Sequence, residues 1–391
     1  MSPVRLELEV STMASDGRAV ARAGDGKVTF VEGALPGETV SVDVVDERSS
    51  YRSAVLRRVL EASPDRVEPP CPAVALGCGG CRWQHVSIEA QRRLKETMVG
   101  ESLSRIARIP GSASVLVRPT VPLAPWRYRT TVRAGVAGGR PGLRRARSHD
   151  LVAVADCPVA DVPVAHMLTT LEFPGATEVV LRSGARTAER MAAPTPQPRL
   201  SSLPPGISAT HIHERAGGRM WRVSAGSFFQ TRPDGVDTLA SMVTELAGEL
   251  RAPGRAADLY SGVGVFAGVL AQTGWQVAAV EWSRSSVRDA QRNLAGLTAK
   301  VVRSKVADWA PSPADLVVAD PSRQGLGTGG ANTVVASGAS LVALVSCDVA
   351  SLGRDARLLV DAGYQLRSAT PIDMFPHTPH VEVLSVFQKP A

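Results

Sequence analysis

Residues 1–62 alternate apolar and polar positions in short runs that glycine-rich turns separate. The runs are LELEV (6–10), KVTFVEG (27–33), ETVSVDVV (38–45) and AVLRRVLEA (54–62). A period of two is typical of strands that bury one face, and several short strands in succession are typical of a barrel. We therefore predict a small antiparallel β-barrel at the N-terminus.

The middle of the chain has a less regular pattern. Residues 84–108 have the apolar spacing of a helix and no internal proline, which predicts one long helix. Residues 115–190 mix helical and strand patterns. The Pro/Ser-rich stretch at 191–206 predicts a loop.

From residue 236 onward, helical and strand patterns alternate. The helical segments are DTLASMVTELAGEL, GVFAGVLAQTG and SSVRDAQRNLAGL, and the strands are AADLY, WQVAAVE, ADLVVAD and LVALVSC. This alternation predicts an α/β domain with a doubly wound parallel sheet. The chain thus divides into three predicted domains, at 1–62, 63–220 and 221–391.

Composition narrows the class of protein. Of the 391 residues 44% are hydrophobic, which is enough for sizeable cores, and no apolar run approaches the ~18 residues of a membrane span. Two glutamates in MSPVRLELEV stand where a signal peptide has an apolar core, so we expect a cytoplasmic protein that binds no membrane. The net charge of +7 favours an anionic partner, although an arginine-rich chain also fits a GC-rich genome.

The five cysteines form a group of four and a single residue. Cys71, Cys78 and Cys81 lie close together, Cys157 follows at a distance, and Cys347 stands near the C-terminus. In an intracellular chain, cysteines in this arrangement favour metal binding or catalysis over a disulfide scaffold.

A glycine-rich turn follows the predicted strand AADLY. Gly262 and Gly264 allow the backbone to approach a ligand at the start of a helix, and Glu281 ends the next strand, where an acid can accept hydrogen bonds from ribose hydroxyls. The G-x-G-x-x-A pattern also fits a dinucleotide-binding fold, but Asp258 before the turn favours S-adenosylmethionine. Asp320 ends the fourth strand, at the edge where open α/β sheets carry their chemistry.

With these motifs the chain resembles the TRAM-containing RNA uracil-5-methyltransferases along nearly its whole length. The matching segments are GRAVAR, VTFVEGALPGE, SPDRVEPPCP, CGGCRWQH, SHDLVAVADCPV, GSFFQTRP, DLYSGVG, VEWSRSSVRDAQRN, DPSR, VSCD and DMFPHTPHVEVLSVFQK, in the family's order. The chain has DPSR where the family usually has DPPR, and SCDV where it has SCNP. Six residues rather than the usual five separate Cys71 from Cys78.

The resemblance implies a three-part architecture. An OB-like TRAM barrel would precede a central α+β domain with an iron–sulfur cluster, and a class I, Rossmann-like S-adenosylmethionine methyltransferase domain would follow. The implied ligands of a 4Fe–4S cluster are Cys71, Cys78, Cys81 and Cys157. Zinc with His85 as a further ligand, or buried cysteines without metal, are the alternatives.

The reaction that the resemblance implies is the formation of 5-methyluridine in RNA. Cys347 would add to carbon 6 of uracil, and Glu382 would remove the carbon 5 proton. The residues expected at S-adenosylmethionine are Gln230, Tyr260, Glu281, Asp308 and Asp320. We expect a monomer that acts on RNA, on rRNA in preference to tRNA. An iron–sulfur oxidoreductase with a nicotinamide or flavin, and a non-catalytic RNA-binding module, are the rival classes.

Residues 127–147 hold seven arginines and no acid, with Trp126 and Tyr128 at the start. This composition predicts phosphate contacts and base stacking. A solvated sheet face is the alternative.

Overall fold

The computed structural model describes residues 4–109, 116–196 and 203–390. The N-terminal strands are β1 (Arg5–Met13), β2 (Ala19–Arg22), β3 (Val28–Glu32), β4 (Thr39–Glu47) and β5 (Tyr51–Glu61). They close into a barrel in the order β1-β2-β3-β5-β4. Alternate residues such as Val40 and Val42 are fully buried in its core. The predicted barrel is confirmed, except that β3 and β5 pair in parallel.

A helical stretch connects the barrel to a second sheet. Helix α1 (Pro72–Ala75) follows Cys71, and α2 (Ile88–Arg105) lies within the helix predicted over 84–108. The Ser87 side chain accepts a hydrogen bond from the Ala90 amide and so caps the start of α2.

The central sheet has six strands in the order β11-β10-β9-β6-β7-β8. Its elements are β6 (Thr131–Ala137), β7 (Arg140–Arg144), β8 (Leu151–Val152), α3 (Val162–Thr170), β9 (Glu178–Ser183), β10 (Arg190–Thr195) and β11 (Ile207–Ser208). The loop predicted at 191–206 is wrong in its first part, because β10 pairs with β9 and buries Met191 and Ala192. Residues 197–202 of that stretch lie outside the described residues.

The C-terminal part is a seven-stranded sheet in the order β16-β15-β14-β17-β18-β20-β19. Its strands are β14 (Arg255–Leu259), β15 (Gln276–Glu281), β16 (Ala299–Arg303), β17 (Leu316–Ala319), β18 (Leu341–Ser346), β19 (Gln365–Ile372) and β20 (Glu382–Gln388). The helices are α4 (Pro233–Gly248), α5 (Val265–Gln272), α6 (Arg284–Asn293), a 3-10 turn (Val306–Asp308), α7 (Gly327–Ala336) and α8 (Val349–Asp361). The first five strands in this order, β16-β15-β14-β17-β18, run parallel, as predicted. Strand β20 is antiparallel to both of its neighbours, β18 and β19.

Two elements from the middle of the sequence pack against this last sheet. Helix α2 contacts α8 and β19. The hairpin of β12 (His211–Ala216) and β13 (Arg219–Ser224) contacts α4 and α6. The boundary predicted between 220 and 221 therefore falls inside β13, in a hairpin that packs on the C-terminal helices.

Among the described residues, no helix combines the length and apolar character that crossing a membrane requires.

Candidate active site

A cavity of about 890 Å³ opens at the carboxyl ends of the parallel strands. Six of the seven residues predicted for catalysis and cofactor binding line it: Gln230, Tyr260, Glu281, Asp320, Cys347 and Glu382. The seventh, Asp308, is exposed in the 3-10 turn after β16 and is not part of this wall. The structure therefore brings together side chains from six separate segments of the sequence.

The strand register makes Cys347 and Glu382 neighbours. Strands β18 and β20 pair antiparallel, with Ser346 opposite Val383. Continuing that register by one position places Cys347 opposite Glu382. A thiol and a carboxyl group from distant parts of the sequence thus face the same cavity.

Cys347 lies at the junction between β18 and α8. The next residue, Asp348, caps the helix, because its side chain accepts a hydrogen bond from the Ser351 amide at 2.8 Å. The SCDV variation therefore keeps a capping side chain directly after the cysteine.

The cavity holds buried carboxyl groups with strongly shifted acidities. Burial raises the pKa of Asp320 to about 7, although a hydrogen bond from Gln230 Nε2 at 3.3 Å opposes the shift. Burial, followed by the charge of Asp320, raises the pKa of Glu382 well above its ordinary value. Burial and then Glu382 raise the pKa of the Cys347 thiol to about 12, whereas the Arg323 guanidinium lowers it. The Oε1 atom of Glu382 is buried without a hydrogen-bond partner among the described residues.

The turn between β14 and α5 has the geometry of a ligand-binding loop. Tyr260, Gly262 and Gly264 all have positive φ values, of 61°, 54° and 95°. Glu281 braces this turn, since its carboxylate accepts hydrogen bonds from the Gly262 amide at 2.9 Å and the Ser283 amide at 2.6 Å.

Two buried polar atoms beside this turn have no partner in the described part of the chain. They are the Ser261 hydroxyl and Oδ1 of Asp258. Burial raises the pKa of Asp258 to about 8, although its Oδ2 accepts a hydrogen bond from the Ala267 amide. Unpartnered polar atoms and an open backbone turn fit a polar ligand such as S-adenosylmethionine.

Three further cavity residues were not predicted from the sequence. Phe228 is 63% exposed although it lies next to the buried Phe229. His380 Nε2 lies 3.4 Å from Arg323 Nη2, and burial lowers the pKa of His380 to about 4. Of the three, only the exposed ring of Phe228 would mark a binding surface without reference to a motif.

The connection between β19 and β20, residues 373–381, forms one wall of the cavity through Phe375, Thr378 and His380. Lys95 on α2 anchors its start, with Nζ 2.9 Å from Asp373 Oδ1 and 3.1 Å from the Phe375 carbonyl oxygen. Both charged side chains of this pair are almost completely buried. The connection leads directly into Glu382.

His377 at the centre of this connection is held from three sides. Its φ of 65° is unusual for a residue with a side chain. The Trp83 amide donates to its carbonyl oxygen at 2.9 Å, and its own amide donates to Gln91 Oε1 at 2.6 Å. Trp126 stacks on its ring at a centroid distance of 3.9 Å.

The four clustered cysteines line a second cavity, of about 530 Å³. It contains Cys71, Cys78, Cys81 and Cys157, whereas the half-buried His85 is not in its wall. In the described ranges, no three His, Cys, Asp or Glu side chains converge on a position for one metal ion. The four thiols thus line one cavity without forming a single-ion site among the described residues.

Most arginines of residues 127–147 have carboxylate partners in the structure. Five of the seven form ion pairs with carboxylates: Arg127 with Asp156, Arg133 and Arg144 with Glu178, Arg140 with Glu172, and Arg147 with Glu32. Trp126 is stacked on His377, and Tyr128 is buried with its hydroxyl donating to the Pro376 carbonyl oxygen. Tyr128 therefore has no free ring face for base stacking, and His377 covers one face of the Trp126 ring.

Comparison with known proteins agrees with this architecture. Residues 5–55 match the TRAM domain family. The chain is 35% identical to an RNA methyltransferase of Streptomyces avermitilis, whose activity is uncharacterised, over 98% of both chains. It is 33% identical to the 23S rRNA (uracil(1939)-C(5))-methyltransferase RlmD of Halomonas elongata, over 99% of this chain and 90% of that protein.

The same fold occurs in a solved structure. The tRNA (uracil-54, C5)-methyltransferase of Pyrococcus abyssi, in complex with S-adenosyl-L-homocysteine, superposes with a TM-score of 0.74 at 23% identity. The alignment covers 97% of this chain and 99% of that one. On its sequence identity to the two bacterial relatives, the chain belongs to the TRAM-domain family of RNA methyltransferases.

Proposed function

We propose that this enzyme transfers a methyl group from S-adenosylmethionine to carbon 5 of a uridine in RNA, through a covalent adduct with Cys347. The observation that carries the proposal is the cross-strand position of Cys347 and Glu382 in one cavity, next to the glycine-rich turn. Carbon 5 of uracil is a weak nucleophile, and a thiol that adds to carbon 6 activates it.

Cys347 starts the reaction as the nucleophile. Its thiolate forms a bond to carbon 6, and the electron pair of the 5,6 double bond moves into an enolate that makes carbon 5 nucleophilic. S-adenosylmethionine would supply the methyl group to carbon 5, with the electron pair of the broken sulfur–methyl bond staying on the departing S-adenosylhomocysteine. Arg323 favours the thiolate, because its positive charge lowers the pKa of Cys347.

Glu382 completes the reaction as the base. Its carboxylate takes the proton from carbon 5, the double bond re-forms, and the sulfur–carbon bond breaks to release Cys347. Burial raises the pKa of this carboxyl group, which makes its carboxylate a stronger base toward the carbon 5 proton.

Phe228, Gln230 and Asp320 are suited to hold the base, although the resemblance places Gln230 and Asp320 at S-adenosylmethionine. The exposed ring of Phe228 offers a face on which a flipped uracil stacks. Gln230 and Asp320 are hydrogen-bonded to each other and present a donor and an acceptor to the same cavity. We assign Tyr260 and Glu281 to the methyl donor, because they flank the turn at Gly262.

Asp308 has the weakest support of the proposed cofactor residues. It lies outside the cavity wall, and it would reach the methyl donor only from the rim.

We assign the second cavity to a 4Fe–4S cluster held by Cys71, Cys78, Cys81 and Cys157. Four thiols around a volume of about 530 Å³ fit a multi-atom cluster better than one zinc ion. The exclusion of His85 from this wall argues against the zinc alternative that uses it.

The proposed substrate is rRNA, since the relative from Halomonas elongata with an assigned activity acts on 23S rRNA. Transfer RNA is the second candidate, from the substrate of the Pyrococcus abyssi enzyme. To test the function, total RNA from cells with and without the gene is digested and mapped for 5-methyluridine. Loss of one such site in 23S rRNA is expected. Unchanged 5-methyluridine in all RNAs contradicts the proposal.

A further inference from the structure

Helix α6 carries a row of exposed arginines. Arg284, Arg288 and Arg292 follow one another at intervals of four residues, which places them along one face of the helix. The opposite face is buried, and there Asp289 forms an ion pair with Arg222 and accepts a hydrogen bond from the Ser224 amide at 2.7 Å. The single acid of the helix is thus used internally.

None of the three arginines has a carboxylate partner within the described ranges. The masked residues, 1–3, 110–115, 197–202 and 391, contain no Asp or Glu that could supply one. The arginines at 127–147 differ in this respect, because five of those seven are paired. Unpaired guanidinium groups can bind phosphate without first losing a partner.

An exposed indole adjoins the row. Trp282 is 55% exposed, and the cationic groups of Arg303 and Lys305 lie 5.2 Å and 5.4 Å from its ring centroid. Both cations are exposed, and neither forms an ion pair with a described residue. An exposed indole with two such cations over its ring has the chemistry of a stacking platform for single-stranded nucleic acid.

This surface adjoins the active-site cavity. Glu281, Ser283 and Ser286 line the cavity, whereas the neighbouring Trp282 and Arg284 point to solvent outside its wall. An RNA strand whose target nucleotide enters the cavity therefore passes the Trp282 indole and the arginine row outside the cavity.

We infer that Trp282, Arg303, Lys305 and the arginine row of α6 form a docking surface for the single-stranded RNA that flanks the target uridine. The inference rests on the proposed function for the position of the target nucleotide. The three guanidinium groups contact successive phosphates, and Trp282 stacks on a neighbouring base.

The test compares two triple variants of equal charge change. Arg284→Gln/Arg288→Gln/Arg292→Gln removes the free row. Arg93→Gln/Arg105→Gln/Arg367→Gln removes three exposed arginines that are paired with Asp65, Glu101 and Glu249. Binding of a fluorescent single-stranded, uridine-containing RNA is measured by anisotropy at several salt concentrations. S-adenosylmethionine binding is measured by calorimetry.

The α6 variant is expected to bind RNA at least about tenfold more weakly, and its log–log salt slope is expected to be smaller by about 2, since each phosphate contact on a single strand contributes ~0.7. The control variant is expected to show nearly the same dependence of RNA affinity on salt concentration as the wild type. Trp282→Ala is expected to weaken RNA binding about tenfold or more, as loss of one stacked base does. S-adenosylmethionine binding stays unchanged in all three.

Equal weakening by the two triple variants, or unchanged RNA binding by the α6 variant, overturns the inference. A Trp282→Ala protein that loses affinity for S-adenosylmethionine alone also overturns it, because the indole then belongs to the cofactor site. These assays need no turnover. A wild-type protein that binds RNA on α6 and makes no 5-methyluridine therefore refutes the proposed function, and leaves the surface standing.

Discussion

Lys95 and Asp373, which are 278 residues apart in sequence, form a buried ion pair with an Nζ–Oδ1 distance of 2.9 Å. Burial lowers the pKa of Lys95, and the charge of Asp373 opposes that shift. Because Lys95 also binds the Phe375 carbonyl oxygen, the pair joins α2 to the wall that leads to Glu382. Helix α2 thereby supports one wall of the proposed active site.

Replacing Lys95 with Met should therefore affect both stability and rate. The loss of one partner leaves a buried carboxylate with Arg92 alone, and we expect about 3 kcal/mol of destabilisation in urea unfolding. We also expect kcat to fall about 10- to 100-fold well below the melting temperature, since small displacements of a base are costly. Arg93→Met, on the exposed side of the same helix, is the control and should change neither quantity. If Lys95→Met kept the wild-type kcat, the Lys95–Asp373 ion pair would have no role in positioning Glu382.

Cys347→Ala and Glu382→Gln should fail at different steps. Without the thiol no adduct forms, so Cys347→Ala gives neither product nor covalent complex. Glu382→Gln transfers the methyl group once and then stalls, because the carbon 5 proton blocks elimination. We expect a protein–RNA complex that survives denaturing electrophoresis and carries the methyl label. RNA with 5-fluorouridine should trap the wild-type enzyme in the same way. Turnover by Cys347→Ala, or label on a nitrogen or ribose oxygen, contradicts this route.

The pH dependence follows from the thiol. Since the pKa of Cys347 is raised to about 12, the thiolate is scarce at neutral pH and its fraction grows as the pH rises. The rate of adduct formation with 5-fluorouridine RNA should therefore increase from pH 6 to pH 9. Arg323→Gln removes a charge that favours the thiolate, and the rising limb should move to higher pH. A rate that declines over this range would show that the thiol is not the limiting ionisation.

Asp258 gives a separate prediction for stability. Its pKa is about 8 in the folded protein against 3.8 in a free side chain, so the folded state binds the extra proton between these values. Stability from this group is present at low pH and is lost as the pH rises toward 8. The unfolding free energy of Asp258→Asn minus that of the wild type should therefore increase from pH 5 to pH 8, by at most about 4 kcal/mol. Urea unfolding of both proteins without cofactor, at pH 5 and at pH 8, measures this difference in unfolding free energy. An equal difference at the two pH values contradicts the shift.

The cysteine cavity predicts the metal content. Protein purified without oxygen should be brown and contain iron and sulfide at a ratio of about one. Cys157→Ala should lose the colour and lose stability and RNA binding. Cys347→Ala, the fifth cysteine, should keep the full iron content. Stoichiometric zinc without iron would refute the cluster.

The sequence alone predicts the regular parts of the fold well. The alternation from residue 236 onward predicts strands β14, β15, β17 and β18, because each is a buried apolar run followed by a turn and helix. The pattern misses β10, since proline and serine near Met191 resemble a loop and only pairing with β9 shows otherwise.

The site shows the same division between local motif and long-range contact. Cys347 and Glu382 are found through motifs that surround them. The partners of Trp126 and Tyr128 lie in the 373–381 connection, more than 240 residues away, so their burial is invisible in the sequence. Likewise, the pattern of charges cannot distinguish the paired arginines at 127–147 from the free ones on α6.

The contact between the barrel and the cysteine segment limits which barrels from related proteins can replace this one. The Trp83 indole donates to the Gly17 carbonyl oxygen at 3.0 Å, while the Trp83 amide holds His377. Gly17 has a φ of +81°, and a Cβ there would lie 2.2 Å from Pro379 Cβ. Trp83 thus couples the position of the barrel to the position of the wall of the proposed catalytic cavity. A barrel transplanted from a relative has to bring a glycine at this turn, or the graft will disturb catalysis even where its RNA-binding face is intact.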